Sequence, residues 1–307
     1  MKIDPADFAQ LVVRAMQGQG VAAIRPVVEK ELLHYDILYC LDQAGLLNDL
    51  VFQGGTCLRL CYGANRFSED LGFAGGSNYS SKHLMSMKTC IEDYVGGRYG
   101  LEVNVKEPAT LKKEESSYAE IKVDKWQISI TTAPERKEIA RQRIKIEVAN
   151  IPTYTRTTQA LKRNYDFLPD GYEDTLIFTE TLNEIMADKL VALPATRRYV
   201  RHRDVWDLLW LQQQGAVLDV GLVSKKIRDY QISDFKQMLE DRIASVHGIV
   251  DSKAFSDEMK RFLPTNVYDR TLGQQKFKAY LVTELTQLLE KLHAGLYNKR
   301  PKPEFTL

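Results

Sequence analysis

The chain has 307 residues, about twice the usual ~150 of a single domain, which points to one large or two modest domains. Hydrophobic residues make up 44% and charged residues 27% of it, an ordinary globular balance that excludes wholesale disorder. Lys plus Arg total 42 and Asp plus Glu total 41, for a net charge of +1, which excludes a globally basic nucleic-acid coat but not a local basic patch.

No stretch approaches the ~18 consecutive apolar residues of a membrane span. The first residues, MKIDPADFAQ, lack a basic region followed by an apolar run, so no secretory signal is expected. The cysteines, Cys40, Cys57, Cys61 and Cys90, form no Cys-x-x-Cys pair and have no histidine cluster nearby. Reduced thiols in a cytoplasm are the expectation, rather than a zinc site or a disulfide scaffold.

Two helices are expected first. Asp4 is placed to cap one, with Pro5 at its first position, and a second runs from about Pro26 to Leu46. A short apolar strand, Leu50-Val51-Phe52, then runs into Gly54-Gly55-Thr56 and a helix from Cys57 to Tyr62. A strand containing Asp70-Leu71-Gly72-Phe73 follows. A helix fits Ser80 to Val95, with Gly96-Gly97 as its stop.

From Leu101 to about Asn150 the pattern is β. Leu101, Val103 and Val105 alternate with polar residues. Ala119, Ile121 and Val123 alternate in odd phase and Trp126, Ile128 and Ile130 in even phase, which predicts a hairpin turn at Asp124-Lys125. Ile144, Ile146 and Val148 leave Lys145 and Glu147 on the opposite face. After the turn signal Pro169-Asp170-Gly171 the chain reads as helical to its end, apart from an extended tail from Arg300. The expected domains are therefore 1–175 and 176–307, an α+β part followed by an all-helical one.

Two segments carry chemistry. In the first, Gly54-Gly55-Thr56 lies between a strand and a helix. Backbone N–H groups at such a turn favour an anion, and the glycines remove side chains that would block phosphate, but a Gly-Gly turn entering a helix is more often plain topology. On the next strand Ser68, Asp70 and position 72 share a face opposite Phe67, Leu71 and Phe73. An aspartate there can hold Mg²⁺ against a triphosphate, or it can be a solvated edge carboxylate. In the second segment Asp204 and Asp207 are neighbours on one helical face, preceded by Arg197, Arg198, Arg201 and Arg203. Without further information Lys189 reads as a surface lysine and Asp204 as a carboxylate favoured by a helix N-terminus.

Gly54-Gly55-Thr56, followed by Arg66-Phe-Ser-Glu-Asp70-Leu, resembles the first motif of the AbiEii/AbiGii nucleotidyltransferase toxin family. That family belongs to the DNA polymerase β-like nucleotidyltransferase superfamily, and the MenT toxins are related to it. Glu184…Lys189-Leu-Val-Ala-Leu193, followed by Arg203-Asp204-Val-Trp-Asp207-Leu, resembles its later motifs. The resemblance implies a polymerase β-like domain with a mixed sheet and a helical C-terminal domain. It implies NTP and Mg²⁺ (or Mn²⁺), with Gly54, Gly55, Thr56, Arg66 and Ser68 binding nucleotide. Asp70, Lys189 and Asp204 are the implied catalytic residues, with Asp207 matching the pattern. Asp70 is the implied metal carboxylate, with Glu147 as a further one unless it merely pairs with Lys145 on the sheet surface.

The sequence departs from the family at Gly72, where a second metal-binding Asp is normal. One carboxylate holds two divalent ions poorly. The implied function is a toxin of a toxin–antitoxin or phage-defence system that transfers NMP to an acceptor hydroxyl. The acceptor is expected to be the 3′ end of a tRNA, with a cognate antitoxin as partner. A protein or small-molecule acceptor, or a module that binds without turnover, stays open.

Overall fold

The computed structural model describes residues 6–17, 24–112, 121–135 and 140–298. In chain order the elements are α1 (Phe8–Met16), α2 (Arg25–Gln43), β1 (Val51–Gln53), α3 (Gly54–Leu60), β2 (Leu71–Ala74), α4 (Met87–Tyr99), β3 (Val103–Lys106), β4 (Val123–Ile130), β5 (Gln142–Ala149), β6 (Arg156–Ala160) and β7 (Leu176–Glu180). Helices follow: α5 (Leu182–Ala195), α6 (His202–Gln213), α7 (Val220–Asp229), α8 (Phe235–Asp251), α9 (Lys253–Phe262), α10 (Thr265–Arg270) and α11 (Gln275–Tyr297). The chain divides into two compact units, Met1–Thr181 with Met259–Arg270, and Leu182–Glu258 with Thr271–Leu307.

The first unit is built on a mixed sheet of order β3-β4-β5-β2-β1-β7-β6. β2 pairs with β5 in parallel and with β1 in antiparallel fashion, and β1 pairs with β7 in parallel. Strand alternation sorts the two faces. Phe52, Leu71, Phe73, Trp126, Ile128, Ile144, Ile146 and Val148 are buried on one face. On the other, Gln53, Gly72, Lys125, Lys145 and Glu147 are partly or fully exposed.

Helix α2 is a charged strut inside this unit. Its Glu29, Glu31, His34 and Asp36 are all buried. A buried charge is tolerated only when paired and hydrogen-bonded, and each acid has such partners. Glu31 takes a two-pronged contact from Arg59, at 2.8 and 3.0 Å, and accepts from the Asn164 amide. Asp36 pairs with Arg98 and accepts from the Tyr99 and Tyr172 hydroxyls. Glu29 accepts from Arg25 and Gln142.

In the second unit α11 packs along α8. Leu281, Leu285, Leu288, Leu289 and Leu292 form the buried stripe of α11, and Leu239 and Val246 belong to that of α8. No helix among the described residues is long and apolar enough to cross a membrane.

Several expectations need correction. Asp7 caps α1, accepting from Gln10 N at 3.1 Å; the expected cap, Asp4, lies outside the described residues. α4 runs through Gly96-Gly97 and ends at Gly100, whose positive φ of 62° closes the helix with an N–H bond to Gly96 O. No turn falls at Asp124-Lys125. β4 is continuous and pairs with β5 from Val123 to Ile130. Val123 is simply an apolar residue on the outer face, 44% exposed, while Ala119 lies outside the described residues, as does the expected tail beyond Arg300. The chain is not helical from Gly171 onward either, because β7 follows and completes the sheet with β6.

Removing one member of a buried ion pair strands the other, at a cost of about 3–5 kcal/mol. Glu31→Ala is therefore expected to lower stability by about that amount in chemical denaturation. A loss under ~1 kcal/mol would show that Arg59 is not held by this pair.

Candidate functional site

β1 ends at Gln53 and the chain turns directly into α3. Gly54 makes that turn at φ 80°, a conformation L side chains rarely adopt. Thr56 is buried, and its Oγ1 donates to the carbonyl of Asp70 at 2.5 Å. Gly55 is needed for a different reason. A Cβ there would lie 2.3 Å from the Arg66 guanidinium and 3.1 Å from Ser68 Oγ. The buried Arg66 donates to the Phe67 carbonyl at 2.7 Å. The turn, Arg66, Ser68 and Asp70 are thus one packed group.

α2 supports that group from behind. Lys30 Nζ pairs with Glu69 Oε1 at 2.7 Å, and His34 Nε2 meets the Glu69 carbonyl at 3.0 Å. Burial pushes the His34 ring down to about 4, against the opposing pull of the Glu69 carbonyl and the Glu31 carboxylate. The ring is therefore neutral at pH 7.

Asp70 stands one residue ahead of β2. Its side chain is 39% exposed; Oδ1 accepts from Lys145 N at 3.0 Å and Oδ2 lies 3.8 Å from Lys145 Nζ. Glu147 does not pair with Lys145. It pairs with Lys125 on β4, at 2.8 Å. The registers Gln53↔Gly72, Gly72↔Glu147 and Lys125↔Glu147 set these positions in one row across β1, β2, β5 and β4. Gly72 is the gap in the row. A Cβ there would find Gln53 O at 3.7 Å and Gln53 Cγ at 3.8 Å, ordinary contacts, and no positive φ demands glycine. Backbone geometry therefore does not account for Gly72.

Among the described residues no group of three His, Cys, Asp or Glu side chains is placed to hold a metal ion. Asp70 and Glu147 share one face of adjacent strands. Such a pair suits a single Mg²⁺, which takes one or two carboxylates and completes its shell with phosphate and water. It does not suit a two-ion centre. The lysines beside both carboxylates are about half exposed, and exposed pairs of this kind are worth only ~0–1 kcal/mol, so an entering cation can displace them.

The second unit holds the other motif. Lys189 is no surface lysine: it is 5% exposed and its Nζ lies 2.7 Å from both Asp204 Oδ1 and Asp207 Oδ2. Arg201 Nε also donates to Asp204. Burial opposes the Asp204 charge, but Lys189 and Arg201 outweigh it and hold this carboxyl well below the usual range. On another face of α5, Glu184 and Asp188 hold the fully buried Lys226 of α7 at 2.7 and 3.1 Å. The α5 motif thus fastens two helices through two lysines. Of the arginines, Arg197 and Arg198 are exposed, whereas Arg201 and Arg203 are engaged with Asp204 and Glu258.

Gly54, Gly55, Thr56, Arg66, Ser68 and Asp70 are therefore gathered in the first unit, with Glu147 on the neighbouring strand. Lys189, Asp204 and Asp207 are gathered in the second. Sequence reasoning missed Gln53, whose place directly before Gly54 and opposite Gly72 was a usable signal, and it missed Lys226, for which spacing gave none.

A family model described as Nucleotidyl transferase AbiEii toxin, Type IV TA system, matches residues 36–283. Among solved structures, MenT4, a nucleotidyltransferase toxin from Mycobacterium tuberculosis, is similar at 18% identity with a TM-score of 0.54, covering 96% of each chain. JHP933 from Helicobacter pylori matches at 20% identity and a TM-score of 0.46, covering 89% of this chain and 94% of that one. No curated protein matches.

Two outcomes follow from this geometry. Gly72→Asp is expected to fold with stability within about 1 kcal/mol of the parent, whereas Gly55→Ala forces Arg66 out of place and is expected to cost about 1–3 kcal/mol; equal melting behaviour of the two variants would refute the packing described. The second concerns pH. The folded His34 resists a proton that the unfolded chain accepts near 6.5, so its stabilisation is complete above that pH and is lost as pH falls toward 4. His34→Gln should flatten the fall in stability between pH 7 and 4 by about 3 kcal/mol relative to the parent. An unchanged slope would mean that the ring is not held neutral.

Proposed function

The chain belongs to the AbiEii nucleotidyltransferase toxin family, and from that premise we propose that it transfers a nucleoside monophosphate from an NTP to an acceptor hydroxyl. One observation carries the reading: the Thr56 hydroxyl is bonded to the carbonyl of Asp70, so the Gly54-Gly55 turn and the carboxylate are fixed together. A phosphate-favouring turn and a cation-holding carboxylate held at one place match the needs of phosphoryl transfer, where positioning and charge stabilisation do most of the work.

In this reading the backbone N–H groups of the turn receive the β- and γ-phosphates. Arg66 and Ser68 line its underside. An acceptor hydroxyl attacks the α-phosphorus and pyrophosphate leaves. Lys189 carries the positive charge that the family resemblance assigns to the departing pyrophosphate. Asp204 and Asp207 hold its ammonium and so act as positioning residues. Asp70, with Glu147, would hold a divalent cation, Mg²⁺ or Mn²⁺, which when bound supplies charge neutralisation at the phosphates.

The acceptor we propose is the 3′ end of a tRNA. The exposed Arg197 and Arg198 are suited to phosphate-backbone contact, and the net charge of +1 fits a small footprint. A cognate antitoxin is the proposed protein partner, on family grounds, and toxin–antitoxin or phage-defence action in the cytoplasm is the proposed setting. The gap at Gly72 favours one second reading, a nucleotide-binding module without turnover.

The test is incubation with α-labelled NTPs, Mg²⁺ or Mn²⁺ and bulk tRNA, using the parent, Asp70→Ala and Gly72→Asp. Label on tRNA that falls at least about 100-fold in Asp70→Ala supports transfer centred on Asp70. Label only with Gly72→Asp supports the module without turnover. Label on protein, with none on tRNA, would reject the tRNA acceptor and keep the transferase; no label and no pyrophosphate from any variant would reject transfer itself.

A further inference from the structure

We infer that the side-chain carbonyl of Gln53 supplies the oxygen ligand that Gly72 cannot, completing a single-cation site with Asp70 and Glu147. This rests on the reading of Asp70 as a cation-holding carboxylate. Gln53 is the last residue of β1 and faces Gly72 directly across the antiparallel pair. Gly72 in turn faces Glu147. The atoms nearest to a Cβ placed at Gly72 both belong to Gln53, its carbonyl oxygen and its Cγ. The glutamine thus borders the space that a carboxylate at position 72 would enter.

Its Oε1 is buried and accepts no hydrogen bond among the described residues. Buried acceptors are nearly always satisfied, and leaving one unmet is costly. A hard cation resolves that deficit, because Mg²⁺ and Mn²⁺ both accept carboxylate and carbonyl oxygens. The charges also balance. Two carboxylates and one neutral carboxamide match a divalent ion once it displaces Lys145 from Asp70 and Lys125 from Glu147, and the vacant position 72 leaves no second carboxylate set for another.

Titration of the full-length chain with Mn²⁺, read by the resonance signal of free Mn²⁺ without nucleotide, tests this. One Mn²⁺ per parent chain is expected. Gln53→Leu, which removes the oxygen but keeps bulk, should weaken binding about tenfold. Gln53→Glu, which keeps an oxygen there, should bind no more weakly than the parent, and Gln53→Leu with Gly72→Asp should regain what Gln53→Leu loses. Equal affinity of Gln53→Leu and the parent would overturn the inference. If Asp70→Asn still weakens binding in that case, the cation-holding role of Asp70 survives without Gln53. Weakening in both Gln53→Leu and Gln53→Glu would overturn it as well, since packing rather than an oxygen would then matter. A parent that binds no Mn²⁺ also overturns it, and labelling of tRNA by that same parent would show that the transferase reading does not fail with it.

Discussion

The hydrogen bond from the Thr56 hydroxyl to the Asp70 carbonyl is the constraint on which the first unit's site depends. It joins two segments that the chain reaches separately, the turn after β1 and the residues before β2. Both ends are over-determined. Gly54 makes the turn possible, Gly55 admits Arg66 beneath it, and Lys30 and His34 hold Glu69 from α2. Asp70 is left with its backbone fixed and its carboxylate partly exposed. Placement of this kind removes the conformational freedom that would otherwise have to be lost when substrate binds.

The same logic explains why α2 carries so many polar groups inside. A helix packed only by apolar contacts would be more forgiving, since a buried ion pair is often no more stable than a hydrophobic replacement. What the pairs supply is direction. Arg59 can satisfy Glu31 in one orientation, and from there it reaches the Ala64 carbonyl and lies over the Phe67 ring, next to Ser68. The second unit uses the same device. Lys189 and Lys226 are buried between acids, so that α6 and α7 are keyed to α5 by charge as well as by leucines.

The legible part of the sequence was the local part. Gly54-Gly55-Thr56 and the alternation around Asp70 are short-range patterns, and they describe the turn and the face that Asp70 shares with Gly72. The β5 alternation likewise placed Glu147 on the outer face. Partners across strands were not legible, because register is set by tertiary pairing. The alternative to a metal role for Glu147 was a pair with its neighbour Lys145, yet strand pairing puts Lys125 beside it. Val123 imitated a phase switch because one exposed apolar residue breaks the alternation. The glycine pair in α4 read as a stop, although glycine inside a packed helix costs only ~1 kcal/mol and tertiary contacts outweigh that. Lys189 read as a surface residue because its two aspartates lie 15 and 18 positions away on another helix.

The central claim is that the Gly54-Gly55 turn and Asp70 form one site for a nucleotide and its cation. The most direct test is a crystal structure of the chain with Mn²⁺ and a non-hydrolysable NTP, phased to locate manganese by its anomalous signal. The account predicts manganese on the Asp70 carboxylate and the nucleotide's terminal phosphates against the turn. Nucleotide and manganese bound elsewhere, with Asp70 still hydrogen-bonded to Lys145 N and the turn bare, would contradict it.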